Sequence, residues 1–204
     1  MMINTDCLLI QASTDEAGAR SIPTSAPWLS AVGQVLGQED VLHARPVWSA
    51  AQQSLYLYVD LPHSTGLESR QMVTLEEGLK RSFPTLHKLR ASRLSRAFDK
   101  AGASRGAHAA QHYVVETDPE AGWQEELMRW YDTEHMPGLA SVQGCIRAQR
   151  FLNHDHGPLS YACYDLVTED TLGSEAWLAV RHTGWSSRVR PHFTNTKRTM
   201  FSCL

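Results

Sequence analysis

The sequence predicts an α+β fold made of two tandem copies of one β-α-β-β-α-β unit, and three observations carry that expectation. Strand-type runs recur at 6–12 (DCLLIQA) and 110–117 (AQHYVVET). The runs 55–61 (LYLYVDL) and 160–166 (SYACYDL) set Asp60 against Asp165, 105 residues on. The endings 95–98 (SRAF) and 198–201 (RTMF) set Phe98 against Phe201, 103 residues on. A nearly constant interval is what duplication of one supersecondary unit leaves behind.

The elements follow in order. In the first copy the run 6–12 is followed by a polar break and a helical stretch. The run 41–48 (VLHARPVW) then opens a hairpin, 55–61 closes it, and a helical stretch over 66–82 leads to the ending at 95–98. In the second copy 110–117, a helical stretch, 144–152 (GCIRAQRFL), 160–166, a helix over 170–181 and the ending at 198–201 repeat the series. The boundary falls in 100–110 (KAGASRGAHAA), whose Gly, Ala and Ser content suits a linker. The expected repeats are therefore 1–104 and 105–204. Each is ferredoxin-like: a four-stranded antiparallel sheet with helices on one face, whose other apolar face needs a cover. Two such sheets packed face to face would form a pseudo-dimeric α/β barrel within one chain. That arrangement needs no second chain and leaves higher association open.

Composition narrows the partners. With 204 residues, 42% of them hydrophobic and 20% charged, the chain is neither disordered nor a coiled coil. A net charge of −3 lacks the basic excess that phosphate-backbone binding needs, so no nucleic-acid partner is expected. No apolar run approaches the roughly 18 residues of a membrane span, and Asp6, Gln11 and Asp15 interrupt the N-terminal one, so a cytoplasmic protein with no membrane partner is expected. Four cysteines without a CxxC pair read as buried free thiols. The His-Asp-His of 153–158 (NHDHGP) reads as a solvated turn, because adjacent loop residues do not converge on one ion; no metal ligand is expected. GxGxxG, GxxxxGK[ST] and HExxH are all missing from the sequence, and no cofactor is expected.

Candidate chemistry gathers in the second copy. Trp123, Leu127 and Tyr131 recur at helical spacing, His135 continues their stripe, and Trp130 stands on an adjoining one. Pro137 is expected to end this helix, which would leave His135 in the last turn, where the helix dipole favours the imidazolium. His135 then reads either as an acid/base oriented by Asp132 or as a helix cap. In the following strand, simple alternation places Arg150 with Ile146 and Ala148, and Arg147 on the opposite face with Cys145, Gln149 and Phe151. One guanidinium is expected to be half buried and to need an acceptor, with Asp165 the candidate; it reads as a structural ion pair or as an anion-binding group. Trp185, His192 and Phe193 suit a pocket wall or a core.

The series WYDTEHMP at 130–137, VQG at 142–144, RAQRF at 147–151, Gly184-Trp185 and RVRPHF at 188–193 resembles the dimeric α/β-barrel superfamily, in particular its EthD-like and antibiotic-biosynthesis-monooxygenase-like groups. The resemblance covers about 108–201 well, with Gln143 where the group commonly has Pro. The first copy matches only in degenerate form: its 26–35 (APWLSAVGQV) keeps Pro27 and Leu29 without a histidine. The resemblance implies a cofactor-independent monooxygenase, isomerase or lyase acting on a small apolar or aromatic carbonyl compound. His135 would be the acid/base, Tyr131 and Arg150 would polarise an oxygen, and Trp130, Asp132, Arg147, Trp185 and His192 would hold the substrate. The alternative is a non-catalytic ligand-binding or stress-response module, favoured by the missing first-copy histidine.

Overall fold

The computed structural model describes residues 1–37 and 44–204, and its contacts divide into two units. The first unit comprises Met1–Ser95 with Asn153–His156 and Ser202–Leu204; the second comprises Arg96–Leu152 and Gly157–Phe201.

In the first unit, strand β1 (Met2–Ser13) carries a continuous apolar run, the pattern of a strand covered on both faces, and Cys7–Leu9 are fully buried. It pairs antiparallel with β3 (Ser54–Glu68) on one side and β4 (His87–Ala101) on the other. β2 (Ala44–Ser49) pairs with the far edge of β3, and its Val47 and Trp48 also pair with Cys203 and Ser202. The early part of the 41–48 run, residues 41–43, lies outside the described residues. Helix α1 (Glu16–Ser21) is capped by Asp15. Helix α2 (Ala26–Leu36) stops at Gly37, whose φ of +63° is a left-handed conformation natural to glycine. Trp28, Val32 and Val35 of α2 and Met72, Leu75 and Leu79 of α3 (Ser69–Ser82) pack on Leu8, Ile10, Leu57 and Val59. The helix expected over 66–82 starts later because β3 runs on to Glu68, where the Glu68 and Gln71 side chains form a capping box.

The 153–158 turn is not simply solvated. Asp155 takes the Arg93 guanidinium at 2.6 and 2.9 Å, and the same guanidinium reaches the carbonyls of Met1 and Leu67. Only 2% of the Arg93 side chain is exposed. His156 meets Glu76, and His154 meets the Ser95 hydroxyl. A buried guanidinium requires an anion, and that need recruits the acidic tip of the turn.

The second unit contains β5 (Gln111–Pro119), β6 (Cys145–Asn153), β7 (Ser160–Leu166) and β8 (Phe193–Cys203), in the spatial order β8-β5-β7-β6. The helical layer consists of α4 (Gln124–Trp130), α5 (Met136–Ala140), α6 (Glu175–Arg181) and α7 (Gly184–Val189). Its core joins Leu127, Trp130 and Trp177 to Ala148, Ala162 and Tyr164 of the sheet. In both units the fourth strand is thus followed in space by the first, third and second.

Two expectations are corrected. Residues 100–110 do not begin as a linker: β4 runs to Ala101, and the N–H groups of Gly102, Ala103 and Ser104 donate to the carbonyls of Ile146, Ala140 and Cys145. A Cβ on Gly102 would stand 2.2 Å from the Cys145 carbonyl oxygen, so the close approach requires glycine. Secondly, a bulge between Cys145 and Arg147 breaks the expected alternation, so that Cys145 joins Ala148 in the core beneath the helices. Among the described residues, no helix is long and apolar enough to cross a membrane, and no group of three or more metal-ligating side chains occurs.

The Arg93–Asp155 pair yields a direct expectation. Asp155→Ala leaves a buried guanidinium without its anion and should cost about 3 kcal/mol or more, read from urea unfolding. The double substitution Arg93→Met with Asp155→Ala should recover most of that loss.

Candidate functional site

The site is built on the interrupted helix of the second unit. The helix does not end at Pro137. After α4 the residues Tyr131–His135 form a π-helical turn, and α5 continues the helix with Pro137 in its first turn. Proline lacks an N–H and its ring crowds the carbonyl four residues back. The wider turn accommodates this, and the Met136 N–H donates to the Tyr131 carbonyl five residues earlier. Tyr131 and His135 then lie edge to face, with ring centroids 5.7 Å apart, while the imidazole stacks on Trp130 at 4.1 Å. Glu134 is fixed from two sides, by the Trp130 indole N–H at 3.2 Å and the Thr183 hydroxyl at 2.6 Å.

Beneath this turn lies a cavity of about 30 Å³, room for about two waters. Its walls are Trp130, Tyr131, His135 and Leu139 from the helix, Tyr113 and Val115 from β5, Tyr164 from β7, Trp177 and Arg181 from α6, and Arg190, Phe193 and Arg198 around the start of β8. The Tyr164 hydroxyl donates to the Met136 sulfur at 3.0 Å. Phe193 stacks on Tyr131, with centroids 5.9 Å apart.

The electrostatics run opposite to the helix-end expectation. His135 is 9% exposed, and its Nδ1 is buried without a hydrogen-bond partner. Burial, followed by the positive charges of Arg190 and Arg181, lowers its pKa to about 3. The imidazole is therefore neutral at physiological pH and able to accept a proton. The expected dipole effect is overridden because the helix continues past His135 and desolvation dominates. Burial also raises Tyr131 well above the ordinary tyrosine value, against the opposing pull of Arg150, so its phenol stays protonated and can donate. Burial, and then the proximity of Arg181 and Arg198, lowers the pKa of Arg190; it nevertheless remains a cation at neutral pH.

Of the residues expected at a site, Trp130, Tyr131, His135 and Phe193 line the cavity. The others lie outside its walls. Arg150 is buried, but Asp132 holds it at 2.8 and 3.0 Å, with its guanidinium carbon 5.5 Å from the Tyr131 ring centre. Asp132 is thus spent on Arg150 rather than on orienting His135. Arg147 reaches Asp99 at 2.8 Å, on the same side as Gln149. Asp165, the expected acceptor for an arginine, instead meets His112 at 2.6 Å. Trp185 donates to Glu126, and His192 stacks on Trp123 and meets Glu120. Phe193 was legible as an aromatic at the entry to the last strand. Arg190 stands in RVRPHF and Arg198 opens RTMF, but no spacing marked Arg181, Arg190 and Arg198 as meeting; only the fold brings them together.

No family model matches the chain, and no curated protein matches it. Solved structures do. An anthrone oxidase-like protein superposes with a TM-score of 0.59 at 11% identity, covering 100% of this chain and 94% of that one. A monooxygenase candidate from Lactobacillus acidophilus NCFM gives 0.58 at 11%, covering 98% and 93%. A variant chlorite dismutase from Candidatus Nitrospira defluvii gives 0.58 at 8%, covering 99% and 92%. The fold is therefore that of the dimeric α+β-barrel proteins.

The buried neutral imidazole has a pH signature. Unfolding restores the ordinary value of 6.5 from about 3, so stability from His135 is complete above pH 6.5 and falls as pH drops from there towards 3. Between pH 7.5 and 5 the native chain should lose about 2 kcal/mol more than a His135→Phe variant, measured by urea unfolding at both pH values.

Proposed function

We propose that the chain is a small-molecule enzyme of the dimeric α+β-barrel type, in which His135 removes a proton from an aromatic or carbonyl substrate held in the second-unit cavity. The observation that carries this reading is the His135 imidazole: neutral, buried, with an Nδ1 that has no protein partner, in the wall of a cavity. An orphaned buried polar atom costs roughly 1–3 kcal/mol, a strain that is commonly retained at functional sites.

In the proposed step a C–H or O–H proton of the substrate passes to His135, leaving an enolate or phenolate and an imidazolium. The Tyr131 phenol donates to the developing oxyanion, and the nearby arginines offset its charge. Return of the proton to another atom gives isomerisation. With dioxygen as oxidant, a methylene becomes a carbonyl and water leaves, which is monooxygenation. Arg150 acts through Tyr131 as a positioning residue, and Trp130 supports the imidazole by stacking. The names of the anthrone oxidase-like and monooxygenase neighbours agree with this chemistry. The EthD-like affinity, carried by WYDTEHMP, and the origin of the chain by duplication into 1–104 and 105–204 belong to the same proposal. The latter is supported by the matching strand order of the two units.

The second reading, a non-catalytic ligand-binding module, is favoured by the small size of the cavity. Solvent-deuterium incorporation into a panel of enolisable aromatic ketones, anthrone among them, separates the two. Exchange catalysed by the native chain should fall about 10²- to 10⁴-fold in His135→Ala; equal rates in the two proteins rule the base out.

A further inference from the structure

Three guanidiniums, Arg181, Arg190 and Arg198, line the same cavity as His135, and its wall contains no carboxylate. Among the described residues none of the three has an ion-pair partner; the contact in hand is from Arg190 Nη1 to the Arg181 carbonyl at 3.3 Å. Arg181 and Arg190 are half-buried and Arg198 is exposed; the fully buried arginines, Arg93 and Arg150, are each held by an aspartate. The effect of Arg181 and Arg198 in lowering the pKa of Arg190 shows that the three fields overlap. Three like charges around one cavity, two of them half-buried, repel one another, and an anion placed between them relieves that repulsion.

We propose that Arg181, Arg190 and Arg198 form a subsite for the carboxylate of an aromatic acid, so that the substrate enters the cavity already bearing a negative charge. The chemistry of the walls defines both ends of such a ligand. Trp130, Tyr131, Tyr164, Trp177 and Phe193 present ring surfaces suited to a planar aromatic body, while the guanidiniums offer planar forks of donors that match a carboxylate. The cavity is smaller than an aromatic ring, so binding requires lining side chains to move; the long arginine side chains can swing onto the carboxylate as they do so. The assignment deepens the enzymatic reading above, but the binding it states does not require turnover.

The test uses benzoate, its neutral isostere benzamide, and inorganic phosphate as probes of the full chain, with affinity read by titration calorimetry and by the shift in Tm. Benzoate should bind and raise the Tm; benzamide should bind at least about tenfold more weakly. Arg190→Gln and Arg198→Gln should each weaken benzoate about 10- to 100-fold, and without ligand each variant should melt at or above the native temperature, because a like-charge repulsion has been removed. His135→Ala should retain benzoate binding, so that loss of catalysis and loss of the anion site are read separately. Equal affinity for benzoate and benzamide, benzoate binding unchanged in the arginine variants, or stabilisation by phosphate but not by benzoate would each overturn the assignment.

Discussion

A charge removed from water must meet an opposite charge or a full set of hydrogen bonds, and this constraint organises the polar interior of the chain. In the first unit it draws the tip of the 153–158 turn onto Arg93 through Asp155. In the second it fixes β6 to the π-helical turn through Arg150 and Asp132, and β5 to β7 through His112 and Asp165. Glu116, almost fully buried on β5, has Lys197 at 3.7 Å. Each pair joins segments distant in sequence, so satisfying these charges also locks strand to strand and strand to helix. Against that background the cavity stands out. There a neutral imidazole and three arginines share a space with no carboxylate in its wall.

Much of the fold was legible because strands and helices leave local periodic signals. The run 160–166 matches β7 residue for residue, since its apolar stretch is bounded by polar turn residues on one side and a Thr-Glu-Asp segment on the other. The run 55–61 lies inside a strand twice as long, because β3 continues through His63, Ser64 and Thr65, whose polar side chains hid the extension. The bulge at Cys145–Arg147 was invisible, because a two-residue pattern carries no trace of one inserted residue. Residues 100–104 misled for a different reason: small residues suit a flexible linker and a close backbone contact equally well, and Gly102 serves the second.

The site was legible where it rests on one helix and illegible where it rests on tertiary meeting. Trp130, Tyr131 and His135 lie on one continuous stretch, and their spacing announced a shared face. The proline signal was read too simply, since a proline can be absorbed by a widened turn as well as end a helix. The expected roles of Asp132 and Asp165 failed because an aspartate binds whichever cation the fold delivers; Asp132 received Arg150 and Asp165 received His112. The arginines at 181, 190 and 198 come from α6, the turn before β8, and β8 itself. Nothing local marks such a set as convergent.

The field in the cavity also explains why a histidine with so low a proton affinity can be useful. Burial, and after it the charges of Arg190 and Arg181, discourage its protonation, which keeps the imidazole neutral at neutral pH. In the proposed step the same positive charges would favour the anion formed when the substrate loses its proton, so the force that weakens the base would also acidify the substrate. Once an anion is present it offsets the arginines, and the imidazolium formed in the transfer no longer faces them uncompensated. A neutral wall would give a more basic histidine and a less acidic substrate, with little net change in the driving force. Under the proposed mechanism the arginines would make proton transfer conditional on the anion held between them, which would confine the chemistry to ligands able to complete the charge balance of the cavity.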